Sequence, residues 1–225
     1  MITKMRGEVE VVESVPKRFA EIVVDAYKHR SEEKFLLALS GGSSAEPCYE
    51  ELNKASRAKI DWSEVEIFWS DERCVPLDDK ASNAGNAKRI FIDKLEPAPE
   101  IFPMSCEDGP DSYEFLLRTH SPIDIIHLGV GPDGHTASLF PNSTALEESE
   151  RLVLRNEDPS STNPIPRMTF TYAGIANSKH VVFTAFGAKK AEILRELANG
   201  ADLPAAHVRA PKITWLLDAD AAQLL

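Results

Sequence analysis

Apolar positions along the chain alternate between two rhythms. Val9, Val11 and Val12 predict a short strand near the start, at a sheet edge. Residues 35–39, 65–69, 123–128, 181–186 and 213–217 are short apolar runs, rich in β-branched and aromatic residues, that read as buried strands, with 152–154 as a further short one. Between the first two, Phe19, Ile22, Val23, Ala26 and Tyr27 recur at helical spacing, with Ser14 placed to cap the helix and Pro16 tolerated in its first turn. Further helices are predicted over 47–54, from a Ser82 cap through Ala87, Ile90, Phe91 and Leu95, and over 113–119, 189–197 and 218–225. Residues 136–140 have the composition to begin one more. The stretches 96–110 and 156–166, rich in proline and polar residues, are surface connections.

Strands alternating with helices predict an α/β protein whose mostly parallel sheet is covered on both faces. At 225 residues the simplest organisation is one domain, 1–225. No repeat or low-complexity tract interrupts it.

Composition narrows the function classes. Hydrophobic residues at 43% and charged ones at 27% are ordinary for a soluble globular protein. A formal net charge of −11 argues against nucleic acid as a partner and means that an anionic ligand needs a local basic pocket. Cys48, Cys74 and Cys106 are too few and too scattered for a disulfide framework or a zinc knuckle, so the expectation is a reduced cytosol, with Cys74 a structural thiol. The first fifteen residues lack the apolar core of a signal peptide, and no apolar run has the length to span a bilayer. A cytoplasmic protein without membrane contact is expected.

Several strand ends break into small or charged clusters, which is where ligands bind in open α/β sheets. Ser40-Gly41-Gly42-Ser43-Ser44 runs from strand into helix, and is either an anion cradle of backbone amides or a tight turn with a capping serine. It is neither the dinucleotide fingerprint nor a Walker loop. Asp71-Glu72-Arg73 follows residues 65–69, and its guanidinium either grips a carboxylate, phosphate or oxyanion or forms a solvated ion pair. Asp133-Gly134-His135 follows residues 123–128, amid Gly129, Gly131 and Pro132. A histidine there is suited to act as a base near neutrality, and Asp133 to orient it. The six histidines show no metal-ligand spacing, and Ser138 lacks the nucleophile-elbow pattern.

Taken together, Ser40-Gly41-Gly42-Ser43, Ser70-Asp71-Glu72-Arg73, Ser82-Asn83, the run from Gly129 through Asp133-Gly134-His135 to Pro141, Pro166-Arg167-Met168-Thr169 and Gly187-Ala188-Lys189-Lys190 stand in the order seen in 6-phosphogluconolactonases. The chain resembles that family from about residue 10 to its C-terminus. The resemblance implies a Rossmann-like three-layer α/β/α fold shared with glucosamine-6-phosphate isomerase/deaminase. It also implies hydrolysis of 6-phospho-D-glucono-1,5-lactone to 6-phosphogluconate, the second step of the oxidative pentose phosphate pathway, without metal or organic cofactor. The partner is then a small sugar-phosphate lactone, and the chain a monomer or homodimer.

On that resemblance His135 is the general base, Asp133 assists it and Arg73 stabilises the oxyanion. Gly41, Gly42, Ser43, Ser44, Arg167 and Lys189 hold the phosphate, with Lys190 as the alternative to Lys189, and Asp71, Asn83 and Gly131 complete the substrate-binding set. Deaminases carry Asp-Gly-His-Ile-Ala-Phe-Asn-Glu-Pro in the central motif. Their catalytic glutamate falls at Phe140, and their Asp-Glu-Tyr at Asp71-Glu72-Arg73. Both differences favour the lactonase over a deaminase or isomerase. The other reading, a non-catalytic sugar-phosphate-binding regulator, should carry a DNA-binding segment or lose the His135 base, and neither is seen. One departure is Gly41-Gly42-Ser43-Ser44-Ala45 in place of Gly-Gly-Ser-Thr-Pro, with proline deferred to Pro47.

Overall fold

The computed structural model describes residues 4–225. A seven-stranded sheet, parallel throughout, forms the centre. In chain order the elements are β1 (Glu8–Val11), α1 (Val15–Lys28), β2 (Phe35–Leu39), α2 (Ala45–Ser56), β3 (Val65–Trp69), β4 (Asp71–Arg73), α3 (Asn83–Ile90), β5 (Glu100–Ile101), α4 (Gly109–Thr119), β6 (Ile123–Leu128), β7 (Val153–Asn156), β8 (Arg167–Phe170), α5 (Tyr172–Ala176), β9 (Ser178–Ala185), α6 (Ala191–Asn199) and β10 (Lys212–Leu217). The large sheet runs β1-β10-β9-β6-β2-β3-β5. Every residue of β2, β3 and β6 is buried, as expected of parallel strands covered on both faces. Ser14 caps α1 by accepting from Lys17 N, and Ser82 caps α3 by accepting from Gly85 N. Among the described residues no helix is long and apolar enough to cross a membrane.

The strand order contains a switch point. From β2 the chain steps outward through β3 to β5; it then returns to place β6 on the other side of β2 and continues outward through β9 to β10. β2 and β6 are therefore neighbours, with Leu37 opposite Ile125 and Ala38 opposite Ile126. The loops leaving their C-terminal ends diverge and leave a crevice between them.

A second sheet, antiparallel and in the order β4-β8-β7, was not expected. Ser70 joins the two sheets: its N–H donates to Leu39 O at 2.8 Å, and its own carbonyl accepts from Phe170 N at 2.8 Å. The all-charged β4 has no apolar alternation to announce it. It is held because the buried Glu72 carboxylate accepts from Arg73 N (2.7 Å), Asn83 N (2.7 Å), Ala84 N (2.8 Å) and Ser82 Oγ (3.0 Å), closing the start of α3. Burial raises the Glu72 pKa against the pull of those amides.

Several expectations need correction. The stretch 96–110, expected as a surface connection, contains β5, and the helix expected from Ser82 through Leu95 ends at Ile90, followed by a 3₁₀ turn at Ile92–Lys94. Residues 136–140 form a turn closed by the Thr136–Leu139 pairing, because Ala137 is left-handed (φ 48°), which no helix accommodates. Residues 218–225 form turns, since Asp218 accepts from Gly187 N and Ala221 N and so short a tail does not nucleate a helix. The helix expected over 189–197 begins as a 3₁₀ turn, Ala188–Lys190, before α6. Cys74 and Cys106 form a disulfide, with Cα atoms 5.3 Å apart. Spacing along the chain says nothing about that spatial separation, so the structural thiol expected at Cys74 is instead half of a disulfide.

A polar cluster lies inside the core beneath the crevice. The Tyr49 hydroxyl donates to Ser40 O and accepts from Ser40 N, both at 2.8 Å, and meets His127 Nδ1 at 3.0 Å. The opposite ring nitrogen, Nε2, meets Thr184 Oγ1 at 2.8 Å. With the phenol proton committed to Ser40 O, His127 donates through Nδ1 and accepts from Thr184, which is the neutral tautomer. Burial pushes its pKa down to about 3, and burial together with Lys212 pushes that of His180 down to about 4.

Two outcomes are expected. Tyr49→Phe strands both backbone groups of Ser40 and lowers stability by about 1–3 kcal/mol in urea denaturation. Because the unfolded chain protonates these histidines below about pH 6.5 while the folded protein does not, stability falls from pH 6.5 to 5 by about 1.4 kcal/mol per pH unit for each. A urea midpoint that stays flat across this window contradicts the burial argument.

Candidate active site

The crevice between β2 and β6 opens into a cleft of about 210 Å³. The β2 side contributes Ser40 through Ser44, and the β6 side contributes Gly129 through Pro132, with His135 and Ala137. Asp71, Arg73 and Asn83 come from the small sheet and the start of α3, and Lys190 closes the remaining side.

His135 is held from three directions. Its Nδ1 lies 2.5 Å from Asp133 Oδ1, and its backbone N–H donates to the same oxygen at 3.2 Å. Gly131 N donates to His135 O at 2.8 Å, closing the turn. Gly131 must be glycine, since a Cβ there would lie 2.2 Å from both Cε1 and Nδ1 of the ring. The buried Phe140 ring packs against the imidazole at a centroid distance of 5.1 Å. Asp133 occupies Nδ1, which leaves Nε2 as the ring nitrogen open to a ligand. Burial raises the Asp133 pKa, but the His135 hydrogen bond and charge outweigh it, so the carboxyl lies below its ordinary value.

The small sheet positions the arginines. Arg73 and Arg167 are paired residues of β4 and β8. The Arg73 guanidinium donates through Nη1 to Ala81 O at 2.7 Å, while its Nε and the Nη1 of Arg167 are buried without a protein partner. Two cationic side chains set together with free donors suit an anion or a developing negative charge. Burial, then the charge of Arg73, lowers the Arg167 pKa. Arg167 is buried and is not among the residues that line the cleft.

Asp71 and Asn83 are linked to one another. Asn83 Nδ2 donates to Asp71 O (2.9 Å) and Oδ1 (3.1 Å), and Ser138 Oγ donates to Asp71 Oδ2 at 2.6 Å. Ser138 is itself buried, with its N–H donating to Thr169 Oγ1 at 3.1 Å. Its hydroxyl is thus used to tie the central motif to the small sheet. Gly41 approaches Asn83 so closely that a Cβ would lie 1.8 Å from Asn83 Oδ1. The α2 N-cap residue, Ser44, makes no side-chain capping bond, so the amides at that helix start are not closed off by it.

Of the residues expected in the site, Gly41, Gly42, Ser43, Ser44, Asp71, Arg73, Asn83, Gly131 and His135 line one cleft. Asp133 borders the neighbouring cavity and reaches the cleft through His135. Lys189 is exposed and does not line the cleft, whereas Lys190, the alternative to it, does. Lys190 donates to Val130 O at 2.7 Å, and burial lowers its pKa against the pull of Asp133. In an adjacent lysine pair only the helical phase decides which side chain turns inward, and the 3₁₀ start of the helix sets that phase. Glu72 and Ser138 were missed as structural supports because their roles depend on partners distant in sequence.

A family model described as glucosamine-6-phosphate isomerases/6-phosphogluconolactonase matches residues 6–215. A 6-phosphogluconolactonase of Synechocystis sp. is 36% identical over 209 residues, covering 84% of this chain and 84% of its own length. One from Mycobacterium leprae is 34% identical over 234 residues, covering 94% and 93% respectively. The crystal structure of the 6-phosphogluconolactonase of Leishmania guyanensis superposes with a TM-score of 0.83 at 26% identity, covering 96% of this chain and 98% of that one. The chain therefore belongs to the glucosamine-6-phosphate isomerase/6-phosphogluconolactonase family.

Proposed function

We propose that this chain hydrolyses 6-phospho-D-glucono-1,5-lactone to 6-phospho-D-gluconate, with His135 as the general base. The observation that carries this reading is the His135 ring, held through Nδ1 by Asp133 with Nε2 free, in a cleft that also contains a glycine loop, Arg73 and Lys190. Nε2 takes a proton from water as its oxygen attacks the lactone carbonyl. Asp133 stabilises the imidazolium that forms, and Arg73 the negative charge on the carbonyl oxygen. When the tetrahedral adduct collapses, the bond from C1 to the ring oxygen breaks and the imidazolium returns its proton to that oxygen, giving the open-chain acid. Water is the only co-reactant.

The Gly41–Ser44 loop and Lys190 hold the 6-phosphate, with Arg167 reinforcing the field through Arg73; Asp71, Asn83 and Gly131 shape the sugar site. Phe140 supports hydrolysis over deamination, because a buried phenyl ring against the base has no proton to transfer. Both halves of the large sheet supply the cleft, which supports residues 1–225 acting as one domain, as a monomer or a homodimer that shares no site. The cytoplasm is the proposed compartment, since a phosphorylated sugar remains where it is made. Disulfides are uncommon there, though documented in thermophiles.

An assay that generates the δ-lactone in situ tests the function. Formation of 6-phosphogluconate at no more than the spontaneous rate, or ammonia release from glucosamine 6-phosphate, would sink it. His135→Ala is expected to lower kcat by about 10²–10⁴-fold with folding intact. Lys190→Ala is expected to raise KM by about tenfold or more, as loss of a charge-assisted contact does. Lys189→Ala should change it by less than about twofold, as exposed charges do. The reverse ranking of the two lysines would show that the phosphate is held elsewhere.

A further inference from the structure

The Cys74–Cys106 disulfide has no part in the chemistry above, yet Cys74 directly follows Arg73. Its N–H donates to Pro166 O at 2.8 Å, carrying the pairing of β4 one step further along the chain that enters β8. Cys106 lies in the connection before α4, and its carbonyl accepts from Arg155 of β7. The bond therefore ties the end of β4 to a connection that β7 also holds. Both cysteines are partly exposed and border a cavity of about 470 Å³ whose walls include Val75, Leu77, Ser82 and Met104.

The loop that leaves Cys74 returns at Ala81, whose carbonyl holds the Arg73 guanidinium. Residues 76–80 are exposed, so the loop has little apolar packing of its own and relies on its two ends and on the hydrogen bonds around Asp79 and Lys80. The Ser82–Asn83 end is fixed by Glu72. The other end is held by the disulfide, by the Cys74 N–H on Pro166 O and by the Val75 N–H on Arg73 O, and of these the disulfide is the covalent tie.

We propose that Cys74–Cys106 is a reducible site through which a dithiol partner controls the placement of Arg73. A thiolate of the dithiol attacks one sulfur and forms a mixed disulfide. Its second thiolate then displaces the protein sulfur. The partner leaves as a disulfide, and Cys74 and Cys106 remain as thiols, two electrons and two protons having passed to the protein. With the covalent tie gone, the segment from Cys74 to Ala81 is held by hydrogen bonds alone, and the Arg73 guanidinium that Ala81 O holds gains freedom to leave its position. This rests on the role of Arg73 proposed above.

The test compares the oxidised enzyme, the enzyme reduced with dithiothreitol, and a C74S/C106S variant. Alkylation and mass measurement under native conditions should add no group before reduction and two groups after it, the buried Cys48 staying unmodified. kcat/KM should fall by about tenfold or more on reduction and recover on reoxidation, in line with the cost of about 10²-fold for a 1 Å misplacement. The double variant should match the reduced enzyme and ignore the dithiol. Amide hydrogen exchange over 75–82 should rise on reduction, a readout independent of activity and of whether the variant folds. The proposal is overturned if both thiols are free without reduction, if both alkylate after reduction with kcat/KM unchanged, or if exchange over 75–82 does not move. An oxidised enzyme without lactonase activity refutes the proposed function instead, and the redox site is then judged on alkylation and exchange alone.

Discussion

The parallel pairing of β2 with β6 is the constraint on which the rest of the site depends, because the chain leaves that pair in opposite directions. A crevice follows from the strand order alone, before any side chain is considered. The backbone amides after β2 and the glycine-rich turn after β6 border the same space because Leu37 and Ile125 are neighbours. Beneath them, Tyr49 satisfies the backbone of Ser40 and joins it to His127, so the residue preceding the glycine loop is anchored into the core from below.

The centre of the large sheet was legible in the sequence because β2, β3, β6, β9 and β10 are nearly continuous apolar runs, and burial on both faces leaves that mark. The edge strand β5, only Glu100–Ile101, carries none and lay hidden in a stretch that reads as a connection. The small sheet was not. Asp71, Glu72 and Arg73 look like a solvated triplet until one sees that Glu72 accepts from two backbone amides of α3 and from Ser82. Those partners lie ten or more positions away, where no local pattern records them. The same holds for Cys74 and Cys106, whose separation of 32 residues concealed a contact. In the site, the glycine loop, Arg73 and the Asp133–His135 pair could be read from strand ends and motif order. The choice between Lys189 and Lys190 could not, because it depends on where a 3₁₀ turn gives way to α6.

Electrostatically the site runs against its surroundings. The chain carries a net charge of −11, yet Arg73, Arg167 and Lys190 converge on one region. Two paired arginines repel one another, and their unused buried nitrogens add a cost that an acceptor relieves. An anionic ligand thus meets donors already in place, and less reorganisation is left for the bound state. The acidic remainder screens poorly across the low-dielectric walls of a cleft, which lets a few cations dominate inside it.

Ser70 also limits how chains of this fold can vary in length. It is the single residue between the last position of β3 and the first of β4, bonded to Leu39 on one side and Phe170 on the other. Strand side chains alternate faces with a period of two. One residue gained or lost at this junction would turn Asp71 and Arg73 away from the cleft and bring Glu72 toward it, exchanging ligand groups for a helix cap in one step. Insertions in the 156–166 loop carry no such penalty. Length variation among related chains should therefore collect in that loop and be absent from the joint at Ser70, whatever residue types each tolerates.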